Sequence, residues 1–207
     1  MKRLLQLLPL IAVLAVGTPA HSQYIYMDVN GDGLNNSLDC LTSSVTVVHV
    51  YLNTNHNRDG SVATCVDGTN PFDIASYDII FHSNASGSVT YNGWTNGSAM
   101  SGFTILDAFT VAGPDAGVGY QGPTYLAPGL YELGQLAVTI TGTPGLFFAG
   151  TSTPSIPSPV TGFGSHCSGT DNPNTITLGL DFFDAAGTCQ PDPVESTTWG
   201  KIKQTYK

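Results

Sequence analysis

The sequence predicts an all-β fold, a single β-sandwich of about seven to nine strands. Short runs rich in β-branched and aromatic residues are separated at close intervals by glycine, asparagine and proline turns. Charged residues make up only 10% of the 207 residues, and threonine, serine, asparagine and glycine are abundant, which favours strands over helices. No long amphipathic helical pattern lies between the strand-like runs, so an alternating α/β architecture is not expected.

The first 20 residues have the pattern of a secretory signal peptide. Two basic residues precede an apolar run from Leu4 to Val16, and small residues suited to cleavage end at Ala20. The apolar run is too short to cross a bilayer, and no other segment reaches the required length. We therefore expect a secreted protein that begins near His21, with one domain over residues 21–190 and a tail over residues 191–207.

Nine segments have strand character. The clearest is Leu130–Thr141, where Leu136, Val138 and Ile140 alternate with small or polar residues. This alternation predicts that one face of the strand is buried and the other is exposed to solvent. The other eight predicted strands are Tyr24–Met27, Val45–Leu52, Ser76–Ser83, Gly87–Trp94, Phe103–Thr110, Val118–Tyr120, Gly145–Ala149 and Thr175–Leu180. The three prolines within Thr151–Gly164 predict a surface crossover, because proline cannot donate to a central ladder.

The charge distribution limits the partners of the protein. Once Lys2 and Arg3 are removed with the signal peptide, four basic side chains stand against fifteen acidic ones. Arg58 is then the single cation between His21 and Lys201. An acidic surface of this kind repels nucleic acid and anionic lipid, and we exclude both as partners.

Four cysteines follow the signal peptide, and export favours disulfides. Three connectivities are open to four cysteines. We favour Cys40–Cys65 and Cys167–Cys189, because each pair brackets a short segment at its own end of the chain. The alternative, a zinc site, lacks a Cys-x-x-Cys pair.

A calcium loop is the sharpest motif, at residues 28–39. Oxygen-bearing side chains occupy loop positions 1, 3, 5, 9 and 12, with glycine at position 6, which is the spacing of an EF-hand loop. Gly33 at position 6 allows the sharp turn that a twelve-residue loop needs to surround one ion. The predicted Ca²⁺ ligands are Asp28, Asn30, Asp32, the carbonyl of Leu34, Asn36 and Asp39. A turn of helix at Ser37–Thr42, capped by Asn36, is expected to follow.

The run Asp28-Val29-Asn30-Gly31-Asp32-Gly33, followed by Asn36, Ser37 and Asp39, resembles the calcium loop of the dockerin repeats of bacterial secreted proteins. The resemblance covers about a dozen residues. It implies the same calcium ligands, position by position. A dockerin continues into a longer helix and repeats its loop, whereas this chain turns into a strand and has one copy, so binding of a cohesin partner is not carried over.

Two segments in the middle of the chain, 77–81 and 129–140, resemble the strands of cohesin-like and carbohydrate-binding sandwiches. This resemblance implies extracellular binding or adhesion without identifying a ligand. Flat aromatic rings at strand ends or in turns are candidates for stacking on sugars, and core packing is their alternative role. These candidates are Tyr91, Trp94, Tyr120, Tyr125 and Tyr131.

Two further segments have open interpretations. Asn53–Gly60 resembles half of a second calcium loop around Asn55–Asp59, and its alternative is an asparagine-rich hairpin turn. At the C-terminus, Trp199, Ile202 and Tyr206 form an apolar stripe on a short amphipathic helix with lysines opposite. This helix is either a docking element or a sorting signal.

No catalytic motif is present: the sequence has no Gly-x-Ser-x-Gly, no His-Glu-x-x-His and no phosphate-binding glycine loop. His49 and His82 lie in predicted strands, where a structural hydrogen bond is the commoner role. Glycosidase chemistry needs two opposed carboxylates, which aspartates such as Asp107 and Asp115 could provide only through the fold. We therefore expect a calcium-binding, non-enzymatic module that engages an extracellular glycan or surface protein; the alternative is a carbohydrate-binding module that serves polysaccharide degradation.

Overall fold

The structure, a computed structural model, is a two-sheet β-sandwich, as predicted. It describes residues 24–36, 38–57, 60–63, 65, 72–84, 87–149, 156, 160–167, 174–177 and 183–184. The strands are β1 (Tyr24–Asp28), β2 (Val47–Asn53), β3 (Ile74–Ser83), β4 (Gly87–Asn96), β5 (Thr104–Ala112), β6 (Asp115–Leu126), β7 (Leu130–Gly142), β8 (Leu146–Phe148), β9 (Gly162–Ser165), β10 (Asn174–Thr177) and β11 (Phe183–Asp184).

The first sheet has the order β11-β1-β2-β7-β4 and the second the order β10-β9-β3-β6-β5, with β8 paired to the same edge of β3 as β9. All pairings are antiparallel except that of β1 with β11. Consecutive strands lie in different sheets at β2–β3, β3–β4, β4–β5, β6–β7, β7–β8 and β10–β11. Most neighbouring strands within each sheet are therefore not consecutive in the sequence.

The core lies between the two sheets and is built by alternation along the strands. On β2, Val48, Val50 and Leu52 are buried, while the residues between them are partly exposed. The opposite sheet contributes Tyr77, Ile79, Phe81, Val118 and Phe163, all of them fully buried. The alternation predicted for Leu136, Val138 and Ile140 is confirmed, because all three are buried on β7.

The tertiary structure adds a strand within a segment predicted as a surface crossover. Residues 162–165 form β9, which pairs with β3 through Tyr77–Phe163 and buries all four of its residues. The sequence Gly-Phe-Gly-Ser has weak strand propensity, but glycine lets the two backbones pack where a side chain is not needed. The end of the predicted crossover is therefore part of the sandwich.

The disulfide prediction is wrong. Cys65 is bonded to Cys167, with Cα atoms 5.3 Å apart, across 102 residues of sequence, so neither Cys40–Cys65 nor Cys167–Cys189 exists in this structure. Cys40 is also disulfide-bonded, and Cys189 lies outside the described residues. The prediction paired cysteines that are near each other in sequence. The sandwich instead brings the loop before β3 next to the end of β9.

Of the two predicted helices, one is not seen and the other lies outside the described residues. Residues 38–42 contain a turn and no helix, while Ser37 is outside the described residues. The predicted C-terminal helix and the signal peptide also lie outside them. Over the part of the chain that is described, no helix is long and apolar enough to cross a membrane.

Candidate functional site

The predicted calcium loop connects β1 to the approach to β2. Asp28 is the last residue of β1, and the chain then turns twice on glycine, with φ of 78° at Gly31 and 81° at Gly33. Positive φ at these two positions is open to glycine at little cost, as predicted for Gly33. The loop thus has the backbone that its motif requires.

Asp28, at the first ligand position, is fully buried, with 0% of its surface exposed. Its two carboxylate oxygens accept hydrogen bonds from the backbone N–H groups of Gly31 and Gly33, each at 2.7 Å. The carboxylate therefore organises the turn through both of its oxygens.

Asp39, at the last ligand position, closes the loop. It is 5% exposed, and its carboxylate accepts hydrogen bonds from the N–H groups of Val29 and Asn36, both at 2.6 Å. Burial raises the pKa of Asp39, although the backbone donors act in the opposite direction. The two ends of the loop are therefore joined through one buried acidic group.

The exposed middle of the loop is also internally bonded. Asp32 Oδ2 accepts from the side-chain amides of Asn30 (3.2 Å) and Asn36 (2.9 Å), and its Oδ1 accepts from the N–H of Leu34. The hydrogen bond from Leu34 lowers the pKa of Asp32. All the predicted ligand positions thus belong to one connected loop.

The loop is fastened to the first sheet by two side chains. The hydroxyl of Tyr26 donates to the carbonyl of Gly33 at 2.8 Å, and the amide of Asn35 donates to the carbonyl of Met27 at 3.0 Å. Tyr26 is stacked between Tyr24 and Tyr51, with ring centroids 5.6 and 5.2 Å away. This tyrosine row was not predicted, although Tyr24 and Tyr26 alternate on one face of a strand and so indicate it.

The acidic residues have few partners of opposite charge. The residues with described side chains include eight carboxylates and no lysine or arginine. Three of the carboxylates contact histidine Nδ1 atoms: His49–Glu132 at 2.7 Å, His82–Asp115 at 2.6 Å and His166–Asp73 at 2.6 Å. The structural role expected for His49 and His82 agrees with these bonds. Three of the remaining carboxylates belong to the calcium loop.

The last two carboxylates, Asp78 on β3 and Asp107 on β5, form a pair on the outer face of the second sheet. Burial, the like charge of Asp107 and a side-chain hydrogen bond between the two carboxyl groups raise the pKa of Asp78 to about 7. Asp107 was predicted only as an aspartate that the fold could bring next to another, and no sequence pattern singles out Asp78.

The described side chains include no group of three or more histidine, cysteine or acidic residues that could hold a metal by themselves. A cation in the calcium loop would therefore depend on amide and carbonyl oxygens as well as carboxylates. This mixture of oxygen donors is the one that calcium takes in proteins.

The aromatic candidates do not share one exposed face. Tyr91 is buried in the core, which is the alternative role named for it. Trp94 donates its indole N–H to Asn96 and packs on Tyr77, and the ring of Tyr120 stacks on Tyr77 as well, at 5.7 Å. Tyr125 is 37% exposed and stacks on His166, and Tyr131 is half-buried and donates to the carbonyl of Ala127.

The segment proposed as a second calcium site has the geometry of a hairpin turn. Asn53 Oδ1 accepts hydrogen bonds from the backbone N–H groups of Asn55 and His56. His56 and Val62 form an isolated antiparallel β-bridge, and Gly60 has a φ of 83°. These contacts favour the asparagine-rich turn. Two of its residues, 58 and 59, are outside the described chain.

No protein-family model matches this chain, and no curated protein or solved structure is significantly similar to it.

Proposed function

We propose that this chain is a secreted, calcium-stabilised, non-enzymatic β-sandwich that acts as a structural, adhesive or binding module at a bacterial surface or in an extracellular matrix. The observation that carries the proposal is the acidic loop at residues 28–39. It has three carboxylates, two of them buried, in a part of the chain that has no described lysine or arginine.

A bound calcium ion would offset the free-energy cost of burying the carboxylates of this loop. Buried carboxylates are expensive unless hydrogen bonds and an opposite charge compensate them. The backbone donors to Asp28 and Asp39 supply the hydrogen bonds but no full positive charge. A divalent cation bound by oxygen ligands supplies that charge, and the dockerin-like spacing places the donors in the order such a loop uses.

Calcium in this loop would also stabilise the sandwich. The loop follows β1 directly, and Tyr26 ties it to the outer face of the first sheet. Ordering the loop therefore orders the start of β1–β2 pairing, which runs from Tyr24–Asn53 to Asp28–His49. A ligand at about a hundred times its dissociation constant adds roughly 2.7 kcal/mol to the free energy of unfolding.

The described aromatic side chains favour a structural or adhesive role over carbohydrate binding. Sugar recognition uses exposed ring faces, and the predicted rings are buried, half-buried or stacked on other residues. A glycan array distinguishes the two functions: the structural proposal predicts no saturable glycan binding, and specific binding that is lost in Tyr125→Ala would replace it with the carbohydrate-binding alternative.

The calcium proposal is tested by differential scanning calorimetry in millimolar calcium and in chelator. We expect calcium to raise the melting temperature of the wild type and to have little effect on Asp32→Ala, which removes an exposed charged ligand without creating a cavity. Leu34→Ala is the matched control, because it keeps the backbone carbonyl that is the predicted ligand. Equal melting of the wild type in both solutions would mean that the loop is a turn stabilised without metal.

A further inference from the structure

On the outer face of the second sheet, one row across three adjacent strands contains two aspartates with a glycine between them. In the ladder, Asp78 of β3 lies opposite Gly119 of β6, and Gly119 lies opposite Asp107 of β5. Tyr77 and Ile79, the neighbours of Asp78, point into the core, so Asp78 points to the other face. The row therefore has a carboxylate on each side of a glycine.

Gly119 makes room for the two acidic side chains. A Cβ atom at position 119 would overlap Oδ1 of Asp78 and would lie 3.2 Å from Cβ of Asp107. The side chain of Asp78 thus reaches over the β6 backbone toward Asp107. Any larger residue at position 119 would fill the space between them.

Asp78 has no described partner that offsets its charge. It is only 7% exposed, and its Oδ1 is buried without a hydrogen bond. On β9, the residue opposite Asp78 is Gly162, and on β3 the nearest titratable side chain of the same face, His82, is bonded to Asp115. A buried acceptor left in this state costs free energy that a native fold normally avoids.

We infer that Asp78 and Asp107 bind one divalent cation of the calcium type above Gly119. The two carboxylates offer up to four oxygens, and the partly exposed Asp107 leaves one side open to water, which completes the shell of a hard cation. Zinc and other softer metals are disfavoured because no nitrogen or sulfur ligand belongs to the row. The inference does not depend on the calcium loop, which belongs to the other sheet.

Isothermal titration of the purified full chain with calcium chloride, repeated with magnesium chloride, tests the inference. We expect Asp107→Asn to lower the number of calcium ions bound by one, or to weaken one binding event at least tenfold, compared with the wild type. Gly119→Ala should have the same effect with both carboxylates present, because its methyl group occupies the site. Asp32→Ala should affect the loop event and leave this one unchanged.

Two control variants separate binding from general damage. Asp115→Asn makes the same charge change at a buried carboxylate that is bonded to His82, and Gly102→Ala adds a methyl group where no atom lies within 4 Å. Both should keep the wild-type stoichiometry. Since Asp107 is partly exposed, Asp107→Asn is expected to fold, and circular dichroism checks this. Unchanged calcium binding in folded Asp107→Asn would overturn the inference, as would an equal loss in Asp115→Asn.

Discussion

At the scale of single residues, the acidic side chains that the structure describes differ in what compensates their charge. Those of Glu132, Asp115 and Asp73 contact histidines, and those of the calcium loop accept backbone hydrogen bonds. Asp78 has neither, and its nearest acidic neighbour, Asp107, increases its cost. Among the described carboxylates, Asp78 in the second sheet is therefore the buried one whose charge is least compensated.

Asp78 should make the stability of the metal-free protein depend on pH in an unusual direction. Its pKa is raised to about 7, so in chelator the native state holds a proton that the unfolded chain releases between about pH 4 and 7. The contribution of Asp78 to the free energy of unfolding is thus favourable at low pH and is lost as the pH rises through this window, with a slope of at most about 1.4 kcal/mol per pH unit.

Urea denaturation of the wild type and of Asp78→Asn at several pH values between 4 and 8 measures this contribution. The difference between the two proteins isolates Asp78 from the other titrating groups. We expect the mutant to lose least stability, or to gain stability, at the upper end of the range. A difference that is constant with pH would show that Asp78 has an ordinary pKa.

At the scale of the secondary-structure element, β5 is an edge strand whose protection is limited to an irregular register. It ends the second sheet, pairs only with β6 among the described strands, and contains no lysine, arginine or proline. Ile105, Leu106 and Val111 are exposed on it. Two register irregularities, on either side of Asp107, are its main interruption of a flat edge. Edges of this kind template pairing with other chains.

Ile105→Lys should therefore reduce self-association without lowering the melting temperature. The side chain of Ile105 is 63% exposed, so lysine removes apolar surface and adds charge at no cost to the core. Static light scattering at rising protein concentration gives the association, and calorimetry gives the melting temperature. Thr139→Lys, at an exposed position of the interior strand β7, controls for the change of net charge. Equal effects of the two variants would assign the result to net charge.

At the scale of the whole molecule, one disulfide encloses most of the sandwich. The Cys65–Cys167 bond joins the segment before β3 to the residues after β9, so strands β3 to β9 all lie within the loop that it closes. Cys65 itself is buried in the core. The bond thus restricts the unfolded chain over about half its length.

Replacing both cysteines, as Cys65→Ala with Cys167→Ala, should lower the free energy of unfolding by roughly 2–5 kcal/mol, near the upper end for a loop of this length in the chain-entropy model. Urea denaturation followed by tryptophan fluorescence measures the loss. Peptide mapping of the unreduced protein should recover a peptide linking Cys65 to Cys167. A linked Cys40–Cys65 peptide would contradict the structure.

The sequence by itself determined the sandwich class, the approximate positions of β1 to β8, and the turn at Gly33 of the predicted calcium loop. These features depend on neighbours along the chain: the period-two alternation of Leu136, Val138 and Ile140 indicates one buried face, and the glycine at loop position 6 indicates a positive φ. Tertiary structure alone decided the Cys65–Cys167 pairing, the recruitment of β9 and the meeting of Asp78 with Asp107. Each of these joins residues far apart in sequence, and the pairing order of strands that makes them neighbours depends on the packing of two complete sheets, which no local pattern encodes.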